Sequence, residues 1–287
     1  MARIYLMHPA TFKLDGGAMF GIIPKPLWSK RIRPDEFNRI HMSLRIMLIQ
    51  TKNRNILIDT GIGDYHNEKF CQQFDINSRP KPITNILSQE LEIKTEDITD
   101  IILSHLHFDH VGGLAEGNKL TFPNATIHLH KDHFEYAKNP TLRDTGSFQK
   151  NYFRPLLEQY IAKNQINFIS GNEGNILKDG EEEISFLTSF GHTPYMIHPI
   201  VKDYIYMADL VPMRHHVNIP WVMGYDIEPG TTTVYKEKFY QYILKHNLKM
   251  IFEHDDEVWG GTLHKDERGR YALKEEFKSN QNSLLEI

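Results

Sequence analysis

The sequence predicts an α/β fold in which helices pack outside two sheets. Apolar runs of strand length occur in both halves of the 287-residue chain, interrupted by stretches of helical period. Several of these runs end in an aspartate or a histidine, where α/β scaffolds place functional groups. No repeat, low-complexity tract or linker divides the chain, so residues 1–287 are expected to form one domain.

Residues 3–14 read as a first strand. A glycine-rich turn over 15–21 follows, then an ordered loop over 22–32 holding Pro24 and Pro26. Strands over 39–50 and 56–58 form a hairpin about Lys52-Asn53-Arg54-Asn55, and the second ends in Asp59-Thr60-Gly61. Pro80 and Pro82 precede a short helix with Ile83, Ile86, Leu87 and Leu91 on one face. Residues 98–103 and 126–129 are strands, and a helix begins at Asp132. Phe148, Tyr152, Leu156 and Tyr160 recur at helical spacing within 146–163; core packing explains the stripe, with an entrance wall as the alternative. A strand over 183–189 ends at Gly191-His192-Thr193-Pro194. The hairpin of 197–201 and 204–207 ends at Ala208-Asp209. Residues 231–246 form a helix with Tyr235, Phe239, Tyr242 and Ile243 inward, and the strand over 249–252 ends at Glu253-His254-Asp255.

Composition narrows the class. A content of 40% hydrophobic and 24% charged residues is that of an ordinary globular protein. A net charge of −4 leaves no electrostatic footprint for nucleic acid. The single cysteine, Cys71, excludes an internal disulfide and a thiolate-rich metal site. No apolar signal segment opens the chain and no stretch has the length of a membrane span, so the expected setting is the cytoplasm, with no membrane partner. Sixteen histidines is a high count that needs either a metal site or a bland explanation.

The densest cluster is Ser104-His105-Leu106-His107-Phe108-Asp109-His110-Val111-Gly112-Gly113. It follows a buried strand, and its two glycines let the chain turn sharply or approach another backbone. In an extended segment His105 and His107 can point the same way while Asp109 and His110 diverge, so two neighbouring metals can be served. Imidazole and carboxylate suit zinc first, with manganese, iron and cobalt also compatible. His105, His107 and His192 can supply one metal; Asp109, His110 and His254 the other; Asp209 is the natural bridge. Two metals roughly 3.5–4 Å apart would share a hydroxide and lower the pKa of water to about 7. One ion would polarise a carbonyl or phosphoryl oxygen as the bridging hydroxide attacks, and Asp109 would pass a proton to the leaving group. Asp59 fits a supporting role, accepting a hydrogen bond that orients a ligand or water; a plain turn is the alternative.

Taken in order, Asp59-Thr-Gly, His105-x-His-x-Asp-His, Gly191-His192-Thr-Pro, Ala208-Asp209 and Glu253-His254-Asp255 resemble the motifs of the metallo-β-lactamase superfamily. The resemblance implies a four-layer αββα sandwich with a dinuclear centre at one edge. The segment from Asp15 to Trp28 resembles the N-terminal loop of the branch holding the YtnP-like lactonases, which is similar to acyl-homoserine lactonases and methyl parathion hydrolases. It implies a metal-dependent hydrolase that opens lactones such as N-acyl homoserine lactones, in quorum quenching. Hydrolysis of organophosphate triesters on the same site and metal binding without catalysis are the alternatives; the complete ligand set argues against the last. True β-lactamases of this fold often vary the second site with a cysteine, whereas Asp109 and His110 are kept here. The helical region by which glyoxalase II grips glutathione is not identifiable in residues 255–287. Acyl-homoserine lactonases also place a tyrosine three residues after the bridging aspartate. Pro212 stands there, leaving Tyr225 as a candidate substitute.

The loop carrying Met19, Phe20 and Trp28, with Phe108 and Trp221, can wall the mouth of the site or simply pack. His215, His216 and His264 read as surface or satisfied histidines, and Lys30, Arg31 and Arg33 as a solvated face. The string His128-Leu129-His130-Lys131-Asp132-His133 repeats the spacing of the first cluster. Glu135 follows Asp132 by three residues, so Asp132 is expected to cap a helix rather than bind metal.

Overall fold

A computed structural model describes residues 2–78, 82–117, 119–280 and 282–287. Pro80, expected just before a helix, lies outside the described residues. Two large sheets form the centre. The first runs in spatial order Leu284–Glu286, Arg3–Asp15, Arg39–Gln50, Asn55–Ile58, Asp100–Ile102, Thr126–His130 and Ile166–Ile169. Its last four strands are parallel. The second follows chain order through Glu173–Asp179, Glu182–Ser189, Met196–Val201, Tyr204–Tyr206, Lys249–Ile251, Val258–Lys265 and Tyr271–Lys278.

The layering follows from strand alternation. Side chains on a strand point to opposite faces in turn, so a strand apolar at every position must be covered on both sides. Ile4, Leu6, Met47, Ile49, Ile56 and Ile58 meet the second sheet at Ile184, Ile197, Ile205 and Met250. The intervening Tyr5, Ile46, Leu48 and Leu57 belong to a separate core with Ile86 and Leu87 of the helix Ile83–Glu90 and Phe153 and Leu157 of Lys150–Ala162. Phe239, Tyr240 and Ile243 of the helix Pro229–His246 join the core of the second sheet. The result is the expected helix–sheet–sheet–helix order.

Several local expectations change. The glycine-rich turn over 15–21 is a short helix, Gly16–Phe20, because the Asp15 carboxylate accepts from the Ala18 N–H at 2.8 Å and caps it. The loop over 22–32 contains a further helical turn, Lys25–Trp28. The helix Glu68–Phe74, the strands Ile166–Ile169 and Glu173–Asp179 and the strands after residue 255 stand outside the elements read from the sequence. In Pro229–His246 the buried face is Thr232, Lys236, Phe239, Tyr240 and Ile243, while Tyr235 and Tyr242 are only half-buried. Of the aromatic stripe, Leu156 and Tyr160 of the helix Lys150–Ala162 and Phe148, which precedes its first residue, pack in the core beneath the first sheet, and Tyr152 is half-buried against it. Among the described residues no helix is long and apolar enough to cross a membrane.

Candidate metal centre

The strand-end loops meet at one edge of the two sheets. The Asp59 N–H donates to the Ile102 carbonyl at 2.9 Å, and the Thr60 N–H to the His110 carbonyl at 2.8 Å. The glycines after the histidine cluster are required here. A Cβ on Gly112 would lie 1.9 Å from the Ile62 carbonyl oxygen, and one on Gly113 2.3 Å from that of Thr60. Only hydrogen lets the two loops close on each other. Asp59, Tyr195 and Ala208 each adopt positive φ, at 58°, 58° and 39°. Such backbone, costing of order 1–3 kcal/mol per residue, clusters where a site over-determines its own geometry.

Seven buried side chains converge. The ligand-type atoms of His105, His107, His192 and Asp209 lie within 4.8 Å of one another, as do those of Asp109, His110 and His254. His192 Nε2 is 3.1 Å from His107 Nδ1 and 3.0 Å from Asp209 Oδ2. Asp209 reaches both groups: Oδ2 lies 3.8 Å from His105 Nε2 and 3.7 Å from His110 Nε2, and Oδ1 3.0 Å from His254 Nε2. Asp109 stands 3.8 Å from both His110 Nε2 and His254 Nε2.

The far side of four of these rings explains the orientation. His192 Nδ1 meets Asp226 Oδ1 at 2.9 Å, and His254 Nδ1 the Ser43 carbonyl at 2.9 Å. His110 Nδ1 meets Asp59 Oδ2 at 2.9 Å and Glu253 Oε2 at 3.2 Å, and His105 Nδ1 meets Ser104 Oγ at 3.0 Å. Assigning the proton to each Nδ1 from this network leaves the Nε2 lone pairs aimed inward, the tautomer a metal needs. His105 Nε2, His110 Nε2 and Asp209 Oδ1 are buried without a hydrogen-bond partner. Buried polar atoms are ordinarily satisfied, so these atoms fit a cation as the missing partner.

Electrostatics agree. Burial, then the neighbouring histidines, holds the pKa values of His105 and His107 well below the usual imidazole range. Burial also opposes charge on His192 and His254, but Asp209 outweighs it and lifts them to about 10 and about 9. Burial would raise Asp209; His192 and His254 drive it well below the carboxylate range instead. Donors drawn towards the protonated form by a shared carboxylate can exchange those protons for a divalent ion.

Beside the cluster is a cavity of about 280 Å³. Met19, Met42, Phe70, Phe74, Phe108 and Met223 give it an apolar wall, Tyr225, Arg143 and Ser147 add polar groups, and His107, Asp109, His192, Asp209 and His254 of the cluster face into it. Of the residues that could wall the site or simply pack, Met19 and Phe108 line this cavity. Phe20 and Trp28 instead pack behind it, stacked with ring centroids 5.4 Å apart, and His216 stacks on Phe20 at 4.9 Å. Pro212 contributes its backbone, its carbonyl accepting from the His254 N–H at 2.9 Å.

The second histidine string stays out of both groups. His128 Nε2 meets Asp100 at 2.8 Å, and His130 Nε2 meets the Gly171 carbonyl at 3.0 Å. The helix Lys131–Lys138 is capped by His130, whose Nδ1 accepts from the Asp132 N–H at 3.1 Å. The expected Asp132 cap is therefore corrected: the helix begins one residue earlier, and Asp132 is an exposed first-turn residue. His133 has a role the spacing did not suggest. Its Nε2 accepts from the Leu106 N–H at 2.9 Å and its Nδ1 meets the Pro194 carbonyl at 2.7 Å, so it joins the loops of His105 and His192. Asp226, also unforeseen, sits in an irregular loop 34 residues from His192 and has no local sequence signal.

The profile of the metallo-beta-lactamase superfamily matches residues 45–263. The chain is 31% identical over 236 residues to an N-acyl homoserine lactonase of Bacillus cereus, covering 77% of this chain and 84% of that protein. It is 24% identical over 168 residues to the N-acyl homoserine lactonase AttM of Agrobacterium fabrum, covering 57% of this chain and only 60% of that protein. A probable metal-dependent hydrolase from Staphylococcus aureus has the same fold, with a TM-score of 0.80 at 26% identity over 96% of this chain and 97% of that one. The dizinc quorum-quenching lactonase AidC gives a TM-score of 0.73 at 22% identity over 98% of this chain and 96% of its own, a likeness of fold.

Proposed function

The chain belongs to the metallo-β-lactamase superfamily, and from that premise we propose that it is a single-domain, dinuclear metal-dependent hydrolase that opens lactones, N-acyl homoserine lactones among them. The observation that carries this reading is the convergence of His105, His107, His192 and Asp209 with Asp109, His110 and His254 beside an apolar cavity. His105, His107 and His192 would hold one ion, Asp109, His110 and His254 the other, and Asp209 both. Zinc is the proposed metal, and manganese, iron and cobalt accept the same donors. Such a pair, when bound, lowers the pKa of water to about 7 and polarises an ester carbonyl.

The protein's own groups do the rest. The apolar wall of Met19, Met42, Phe70, Phe74, Phe108 and Met223 takes an acyl chain out of water. Tyr225 offers its O–H to a substrate oxygen, because burial first, then the charges of Asp15 and Asp109, push its pKa to about 12 and keep the proton on. It thereby answers for the tyrosine that Pro212 replaces. Asp109 lines the cavity and carries a proton to the ring oxygen as the C–O bond breaks.

Asp109→Asn is expected to lower kcat and kcat/KM together, since the amide cannot carry the proton; steady-state kinetics at saturating metal measure it. A raised KM with unchanged kcat would contradict the role. The substrate class is tested by the specificity constants of long-chain acyl lactones and an aryl phosphotriester on one metal-replete preparation. The lactones are expected to win. A phosphotriester advantage of about tenfold, about 1.4 kcal/mol in the barrier, would reverse the reading, and two bound metals with no hydrolysis of either would favour metal binding without catalysis.

A further inference from the structure

Among the described residues two buried cations lie outside the ligand set, Arg45 and Lys236. Lys236, on the inward face of the helix Pro229–His246, is fully buried. Its Nζ is 2.5 Å from the His216 carbonyl oxygen, 2.7 Å from that of Asn218, 3.2 Å from that of Ile219 and 2.9 Å from that of Trp221. One turn further along, the Tyr240 O–H donates to the Val217 carbonyl at 2.8 Å. The carbonyls of His216 to Trp221, Pro220 excepted, are thus taken by two side chains of one helix.

The segment needs this. It is an irregular stretch, buried at His216 and Val217 and half-buried at Asn218, Ile219 and Trp221, and carbonyls with no ladder to join must find donors elsewhere. An ammonium has three N–H groups and no lone pair to clash with an oxygen cage, so it suits a chain wrapped around a point. What the stretch leads to is the site. Asp226 follows, against His192 Nδ1, and Met223 and Tyr225 line the cavity. The His216 ring, at the other end, meets the Met19 carbonyl at 2.8 Å and so ties in the N-terminal loop.

We propose that Lys236 is a positioning residue, whose ammonium winds residues 216–221 around itself and thereby holds Asp226 on His192 and Tyr225 in the cavity wall. The proposal rests on the reading of His192 as a metal ligand. Its test therefore begins with a measurement that does not. Hydrogen exchange of the metal-free full-length protein is compared between wild type and Lys236→Met. Amides of residues 217–227 are expected to exchange at least tenfold faster, with those of the strands Asn55–Ile58 and Lys249–Ile251 unchanged. Zinc titration then follows, with an expected tenfold or greater loss of affinity for one of two ions and a raised KM for acyl lactones. A wild type that binds no zinc would end the functional reading and leave the exchange result standing.

Lys236→Ala supplies the second arm. It leaves four carbonyls around an empty pocket, and ethylammonium at about 0.1 M is expected to restore loop protection and zinc affinity where sodium does not. Unchanged exchange over 217–227, faster exchange spread evenly over the chain, or equal effects of ethylammonium and sodium would each overturn the proposal. So would failure of both variants to fold, which would make Lys236 a residue of the fold alone.

Discussion

Asp209→Ala is expected to empty both halves of the centre. Its two carboxylate oxygens divide the work: Oδ2 faces His192, His105 and His110, and Oδ1 faces His254. The other carboxylate, Asp109, stands against His110 and His254 of its own group. Truncating it removes the carboxylate that draws positive charge to the buried His192 and His254 and leaves Asp109 as the remaining anion of the cluster. Groups that merely orient a ligand alter metal affinity about 10- to 100-fold, so losing the shared ligand should cost more than about 100-fold. Elemental analysis of the purified variant, after dialysis against a chelator and reloading, measures this, with circular dichroism to show that the fold persists. Two metals retained per chain would mean that Asp209 is not shared. Hydrolysis should fall at least in proportion to metal loss.

Much of this centre is legible in the sequence because its parts are local. His105, His107, Asp109 and His110 fall within one short loop after an apolar strand, and His192, Asp209 and His254 each end a strand of their own. The glycine pair announces a close approach, though not its partner; the structure supplies it as the backbone of Thr60 to Gly63. Asp59 reads equally as a turn until its carboxylate is seen to accept from the Ser104 N–H at 2.7 Å and to meet His110. What escapes is whatever depends on distant pairing. Asp226 meets His192 because the chain just after it pairs with the His192 loop, the Ile227 and Glu228 N–H groups donating to the His192 and Gly191 carbonyls. Phe70 and Phe74 reach the cavity from a helix whose seven residues carry no strong apolar period. The strand Tyr271–Lys278 is exposed at Lys274, Glu275 and Glu276 in a row, on both faces, so its sequence lacks the alternating pattern of a strand that the ladder to Val258–Lys265 makes plain.

The two histidine strings give the second large effect, in a comparison of three variants. His107→Ala removes a converging nitrogen and is expected to lose one metal and more than about 100-fold in activity, beyond what outer groups contribute. His130→Ala removes a helix cap and should cost about 0.5–2 kcal/mol of stability while keeping both metals and normal hydrolysis. His133→Phe separates the ideas that these two leave joined. Its ring would fill much of the space, but the Leu106 N–H and the Pro194 carbonyl would lose their partner, at about 1–3 kcal/mol for each group left buried and unpaired. Leu106 lies between His105 and His107 and Pro194 two residues past His192, so the loss falls directly on the group of these three histidines; His110 follows Leu106 by four residues, in the helical turn Phe108–Val111. The expected outcome is a stable protein with metal affinity weakened about 10- to 100-fold at one half of the centre and little changed at the other. Thermal unfolding and competitive metal titration read the two effects apart. The assignment falls if His130→Ala strips metal while His107→Ala keeps both ions and full activity. The linking role of His133 falls if His133→Phe weakens both halves equally or neither.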